Sequence, residues 1–386
     1  MPLSAVNIKS YRSVRNLWLP VEQLSIFVGA NGVGKTNLYK ALALLRAAAD
    51  GTLTRAIAEE GGLNSVLWAG QRVERKPVRL VLKAVFDELD YGAKAEMPHS
   101  YEVQIGIPHP DEAAFGLEPM VKAERLTVHH GRRDIVMMDR NGPLVMLRND
   151  KGERESHDSA VLSSETALAA FRDGARYPEL EAIRRELLGW RLYHDFRTDA
   201  GSPIRQPCHA ITTPTLSSDG RDLAAVLATL SVIRGDTTAV GAAIHDAFPG
   251  ARLRAFQEES VCQINLSFPD MPRAFAAHEL SDGTLKYLCL LGALMGYRLP
   301  PLIALNEPEA SLHPSLLAPL ARLIASAAGR ARIWIVTHSD ELAGHLLEET
   351  GRPARRVVKT KGATGMEGLK LSGEYADDDD EEDEDE

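Results

Sequence analysis

Apolar and polar positions alternate at the start of the chain. Val6 and Ile8 sit between polar neighbours, and a second apolar run, Leu24 to Val28, leads into glycines, so residues 4 to 28 read as strands. From Thr36 onward the period lengthens: Leu38, Ala41, Leu42, Leu45 and Ala48 recur at helical spacing, and Gly51 stands where a C-terminal cap belongs. The opening is thus a strand, loop, helix unit. Residues 77 to 149 return to alternation in VRLVLKAVF, SYEVQIGI and DIVMM, separated by Gly, Pro and Asn, which predicts an antiparallel β lobe. Residues 163 to 249 turn helical through ETALAAFRD, YPELEAIRRELLGW and RDLAAVLATLSVIRG, and strands resume at LRAFQEESVCQINLSF. From Glu279 the order is helix, strand, helix, strand, helix, with no internal repeat and no long heptad array.

Composition adds little to this until charge is placed along the chain. At 386 residues, 44% hydrophobic and 25% charged, the bulk is globular and long enough for a large core. Lys and Arg total 44 against 54 Asp and Glu, a net charge of −10, but ten acids form the single run Asp377 to Glu386, and the remainder is neutral. The acidity belongs to a tail and argues neither for nor against a nucleic-acid partner. Cys208, Cys262 and Cys289 lie far apart with no CxxC spacing, which predicts free thiols in a reducing compartment and no structural zinc. The longest strongly apolar stretch, Tyr287 to Tyr297, is far short of a membrane span, and the N-terminus lacks the apolar core of a signal peptide, so no membrane association and a cytoplasmic location are expected.

Four segments carry chemistry. GANGVGKT, Gly29 to Thr36, matches GxxxxGK[ST] between a strand and a helix. Its glycines let backbone N–H groups close around phosphates; Lys35 reaches the β and γ phosphates and Thr36 is placed to ligate Mg²⁺. The nucleotide-binding set is Gly29, Ala30, Asn31, Gly32, Val33, Gly34, Lys35, Thr36 and Asn37. PLIALNEPEASLHP, Pro301 to Pro314, is a buried strand delivering acids at its C-terminal end, the edge where α/β sheets bind ligands. ELSDGTLKYL, Glu279 to Leu288, places Ser281 and Gly283 before a helix whose first turn could face a phosphate, although Ser281 alone is simply an N-cap. IWIVTHSDEL, Ile333 to Leu342, is an apolar strand ending at His338, with Ser339 or Asp340 opening the next helix.

In this order the four segments resemble the ATP-binding-cassette heads of the RecF, RecN and SMC class, and IKSYRSVRNL, Ile8 to Leu17, looks like the short strand that precedes their first nucleotide loop. The resemblance implies an α/β fold: a P-loop NTPase of ABC/SMC-head type with a mixed sheet, an antiparallel β lobe and a helical insert. It divides the chain into an N-terminal part of the ATPase core (1–75), the β lobe (76–150), the helical insert (151–250), a C-terminal part of the core (251–375) and a disordered acidic tail (376–386). It further implies that Lys35 and Thr36 bind ATP and Mg²⁺, that Ser281, Asp282 and Gly283 act as a signature completing the site of a second protomer, that Glu307 positions the attacking water, and that His338 senses the γ phosphate. A homodimer closed by ATP follows from the same analogy. The long insert and the EPEASLHP form look more like the RecF-type and overcoming-lysogenization-defect-type ATPases than like transporter cassettes, and no Toprim-like nuclease continuation follows His338.

One position departs from the pattern. Where the cassette family carries Asp before the catalytic Glu, this chain has Asn306. An amide still accepts a hydrogen bond from a metal-bound water but adds no negative charge, which predicts weak Mg²⁺ binding and slow turnover, with Glu307 and Glu309 partly compensating. The work performed is expected on DNA, in repair or genome maintenance. The alternative is a regulatory ATP-binding subunit of a defence or toxin-like system that controls a separate effector or nuclease.

Three smaller features remain. Gly189 to Pro207 is dense in Arg, His and Asp, and its Arg191, Arg197 and Arg205 read either as phosphate or partner contacts or as surface arginines of a connecting loop. His129 with His130, and Cys208 with His209, lack further metal ligands and read as structural. The acidic tail follows the basic residues Arg352, Arg355, Arg356, Lys359 and Lys361, and it reads either as a solvated tail or as a nucleic-acid mimic lying over them.

Overall fold

Burial follows the alternation of the sequence. In a computed structural model, which describes residues 2–71, 78–87, 97–107, 115–131, 133–159, 161–233 and 238–370, strand β4 (Leu80–Phe86) buries Leu80, Leu82, Ala84 and Phe86 and turns the residues between them outward. The acidic tail from 376 lies outside the described residues. Contacts divide the chain into two units, Met1–Glu22 with Gly29–Trp190 and Arg355–Glu386, and Gln23–Val28 with Arg191–Ala354.

The first unit is built on an eight-stranded sheet in the order β2-β1-β4-β5-β6-β7-β8-β9, every pair antiparallel. Its strands are β1 (Leu3–Tyr11), β2 (Val14–Pro20), β4, β5 (His99–Gly106), β6 (Met120–His130), β7 (Arg133–Asn141), β8 (Leu144–Arg148) and β9 (Arg154–Asp158). The lobe read from residues 77 to 149 therefore continues into the N-terminal hairpin, because β1 pairs with both β2 and β4. Helix α1 (Lys35–Asp50) packs against α2 (Leu53–Glu59), α4 (Ala167–Ala170), α5 (Pro178–Gly189) and β4, and it ends on Gly51 in the left-handed conformation. Short α3 (Leu63–Val66) and the hairpin β17 (Arg355–Thr360) and β18 (Ala363–Met366) complete the unit. Helix α4 covers only part of ETALAAFRD, since Asp173 Oδ1 accepts from Ala175 N at 3.2 Å and Arg176 N at 3.1 Å in a turn that competes with helix. The fully buried Glu124 and Arg140 lie 3.7 Å apart, and Glu124 also accepts from Tyr101 OH and from the Ala167 and Leu168 amides, so a buried charge is offset by hydrogen bonds.

The second unit holds a parallel sheet in the order β10-β15-β16-β3. Its strands β3 (Leu24–Val28), β15 (Leu302–Asn306) and β16 (Arg332–Thr337) are almost wholly buried, which explains their continuous apolar runs. Strand β10 (Arg191–Tyr193) adds three residues at the edge. Helices α9 (Leu317–Ala328) and α10 (Asp340–Thr350) pack on β16, and α10 also on β3; α8 (Asp282–Met295) packs on α9, α6 (Leu223–Ile233) on α8, and α7 (Thr238–Ala247) on α9. A second small sheet joins β11 (Cys208–His209), β12 (Arg252–Glu258), β13 (Val261–Ser267) and β14 (Phe275–Ala276), all antiparallel. One apolar cluster runs through this unit, from Leu24 and Ile26 to Leu320, Ile335 and Leu346, and Phe27 packs on Trp334 with ring centroids 4.4 Å apart. Among the described residues no helix is long and apolar enough to cross a membrane.

Candidate nucleotide site

The phosphate-loop segment lies in the first unit. Gly32 and Gly34 adopt φ values of 82° and 100°, and Gly34 is the N-cap of α1, so the loop turns where only glycine moves without strain. A Cβ on Gly34 would lie 2.1 Å from Thr364 Oγ1, and a Cβ on Gly29 would lie 2.6 Å from Val357 O. The β17–β18 hairpin is therefore a wall of the loop. Thr364 Oγ1 donates to Val33 O at 2.7 Å, shares a 2.7 Å hydrogen bond with Ser13 Oγ, and Ser13 Oγ accepts from Asn37 Nδ2 at 2.9 Å. Asn37, grouped by sequence with the nucleotide contacts, thus braces the loop through Ser13. Lys35, 4% exposed, folds its ammonium onto the carbonyls of Gly29 at 2.6 Å and Ala30 at 2.7 Å. Thr36 is half-buried in the first turn of α1, Ala30 and Asn31 are exposed, and Val33 is half-buried.

The acidic segment lies in the second unit. Strand β15 ends at Asn306, whose Oδ1 is buried without a hydrogen-bond partner. Glu307 follows with φ 48°, a left-handed backbone that a non-glycine residue holds at a cost, and its N–H donates to Val336 O at 2.7 Å. Glu309 Oε1 accepts from Thr337 Oγ1 at 2.6 Å and from His338 N at 3.0 Å, while its Oε2 is buried without a partner. His338 Nδ1 lies 3.1 Å from Glu309 Oε1 and 3.6 Å from Glu307 Oε1, an ion pair when the imidazole is protonated. Asn306, Glu307 and His338 are therefore brought together, with Glu309 as the hub. Ser339 caps α10 by accepting from Leu342 N at 3.0 Å, which holds His338 at the strand end.

The residues read from the resemblance as a signature open α8 in the same unit. Ser281 is its N-cap and accepts from Thr284 N at 3.2 Å. Gly283 sits so close to the segment after Glu307 that a Cβ there would lie 2.8 Å from Ser311 O. One turn on, Lys286 is buried; burial pulls its ammonium below the usual lysine range against the opposing charges of Asp195, Glu309 and Glu307. Its only sequence signal was a polar residue inside an apolar helix. Arg205, read either as a phosphate or partner contact or as a surface arginine of a connecting loop, is held by backbone carbonyls and Asp282, while Arg197 pairs with Asp199 at 3.0 Å.

Oxygen-only donors suit a hard divalent cation that keeps several waters. The orphaned, buried Asn306 Oδ1 and Glu309 Oε2 are acceptors of the kind such waters need, so the residues fit Mg²⁺. Among the described residues no group of three or more His, Cys, Asp or Glu could hold a metal by itself. His129 instead binds Asp134 at 2.7 Å and Ser100 at 3.0 Å, and all three cysteines are free thiols.

The profile of a protein family described as "AAA domain, putative AbiEii toxin, Type IV TA system" matches residues 24–344. The chain belongs to this AAA family. It is accordingly an ATPase of the AAA type, as the phosphate loop and acidic strand end had led one to expect. Several solved structures share its fold. An Smc head bound to the C-terminal winged-helix domain of ScpA has a TM-score of 0.56 at 14% identity, covering 96% of this chain and 99% of that one. An Smc head with an extended coiled coil from Pyrococcus furiosus, bound to the C-terminal domain of ScpA, scores 0.54 at 12% identity over 96% and 97% of the two chains. A head with coiled coil and joint from Pyrococcus yayanosii scores 0.53 at 10% identity, covering 96% and 98%. No curated protein matches the sequence.

Proposed function

We propose that this AAA-family chain hydrolyses ATP slowly and uses the nucleotide to close a homodimer that switches a separate effector. The observation that carries this reading is the pair of buried, unpartnered oxygens of Asn306 and Glu309 beside the left-handed Glu307, a polar cluster with acceptors left open at a strand end. Gly29 to Asn37 supply the nucleotide contacts, with Lys35 on the phosphates and Thr36 on Mg²⁺. Asn306 would help hold Mg²⁺ by accepting a hydrogen bond from one of its waters, Glu307 takes the proton of the attacking water as general base, and His338 reads the γ phosphate. Bound Mg²⁺ would neutralise the charge developing on the transferred phosphoryl group. Because Asn306 adds no charge, the metal is held weakly and turnover is slow. Ser281, Asp282 and Gly283 meet the nucleotide of the second protomer.

The family description favours an effector of a defence or toxin-like system as partner. A role on DNA, in repair or genome maintenance, is the second reading, favoured by the likeness to Smc heads, which is one of fold. A cytoplasmic location suits both. The test is ATP turnover together with sedimentation in ATP and Mg²⁺ for the native protein, Glu307→Gln and Asn306→Asp. Slow native turnover, a trapped Glu307→Gln dimer and a faster Asn306→Asp variant support the reading; no turnover and no dimer overturn it. Co-purification of an effector with little DNA binding separates the first partner from the second.

A further inference from the structure

The signature carries an acid at an unfavourable place. Asp282 is the first residue of α8, at a helix end whose amides would serve a phosphate, and a carboxylate there repels any anion that approaches. Arg205 answers that charge. Its Nη2 donates to Asp282 Oδ1 at 2.7 Å, its Nη1 donates to Leu280 O at 2.8 Å and His278 O at 3.0 Å, and its Nε donates to Thr198 O at 2.7 Å. The arginine side chain is 10% exposed and that of Asp282 62%, so the guanidinium works from within while the acid faces outward. A cavity of about 430 Å³ lies against Arg205 and the Ala276–His278 segment.

We propose that Arg205 is the positioning residue of the signature: it fixes the backbone entering α8 and cancels the Asp282 charge, so that this helix end can receive a phosphate. The proposal rests on the reading of an ATP-closed homodimer and adds what makes an acid-bearing signature competent for it. The Arg205 guanidinium is bound by the chain's own oxygens. It acts through Leu280 and Asp282 from a loop that lies far away in sequence.

The test compares the full chain carrying Glu307→Gln, alone and with Arg205→Ala, Arg205→Lys or Arg205→Ala with Asp282→Asn. Three readouts are taken: sedimentation with ATP and Mg²⁺, titration of a fluorescent ATP analogue, and amide exchange over residues 279–285. Arg205→Ala is expected to weaken the ATP-driven dimer about tenfold or more, the scale of one charge-assisted hydrogen bond, and to speed exchange at Leu280 to Leu285. Analogue affinity of the monomer stays unchanged. Asp282→Asn in the Arg205→Ala background recovers part of the dimer, which a merely structural role would not do, and Arg205→Lys falls between. Native-like dimerisation and exchange in Arg205→Ala overturn the proposal, as does a double variant no better than the single one. If the parent itself forms no dimer, the homodimer reading fails, and unchanged amide exchange in Arg205→Ala then disposes of the positioning role separately.

Discussion

Thr337 Oγ1 donates to Glu309 Oε1 at 2.6 Å, joining the last residue of β16 to the acid that follows β15. Both groups are buried, so the bond sets the carboxylate that in turn faces His338. Thr337→Val keeps shape and removes the donor, leaving a buried carboxylate short of one partner. The expected loss is about 1–3 kcal/mol in urea unfolding, with turnover falling in parallel. Stability equal to that of the native protein would refute Glu309 as the hub.

Asn306→Asp should produce a trade. With Mg²⁺ and ATP the added charge speeds turnover and lowers the Mg²⁺ concentration needed for half-maximal rate. Without them a second buried acid, next to the buried Glu309 and the half-buried Glu307, lowers the thermal midpoint. Scanning calorimetry with and without Mg²⁺ and nucleotide measures the crossing, and a variant less active at every Mg²⁺ concentration would contradict it.

Thr364 should matter to a loop more than three hundred residues earlier in the chain, since it donates to Val33 O. Thr364→Val frees that carbonyl, and affinity for a fluorescent ATP analogue is expected to fall about fivefold or more, with the far-ultraviolet spectrum unchanged. Gly34→Ala is harsher. Backbone strain of about 1–2 kcal/mol adds to a clash with Thr364 Oγ1, and nucleotide binding is lost.

The antiparallel lobe carries a pH dependence of its own. Burial holds the His99 imidazole down at about 4 against an ordinary value of 6.5. A depressed histidine stays neutral in the fold while the unfolded chain takes up the proton, so stability is complete above about pH 6.5 and falls progressively toward pH 4. Urea midpoints followed across that window should decline, and His99→Gln should flatten the decline. An unchanged slope in the variant would rule His99 out as its source.

Local patterns are readable from sequence where neighbours along the chain do the work. Gly29 to Thr36, the buried run ending at Asn306 and the Gly51 cap each declare themselves within a few residues. The partners that complete them do not. Thr364 reaches Val33, and Arg205 reaches Leu280 and Asp282, across separations that no period or spacing encodes. The density of Arg, His and Asp from Gly189 to Pro207 signalled something there, but not which acid or carbonyl each arginine would meet. Strand β10 has three residues and no alternation, so only its register with Ile303 to Leu305 defines it. The continuity of β1 with β4 is equally silent, because pairing choice in a sheet is a property of both strands.

The contact of Gly283 with Ser311 carries a mechanical consequence. With no side chain on the glycine, nothing compressible separates the start of α8 from the carbonyl of Ser311, itself in the left-handed conformation at φ 65°. A displacement of the turn that begins at Glu307 reaches the signature backbone undamped. In the proposed homodimer, the half of a site that a protomer uses for its own nucleotide and the half it lends to its neighbour would then be one lever. In the proposed pair, occupancy of one nucleotide position changes the fit at the other, and ATP should be taken up with a Hill coefficient above one.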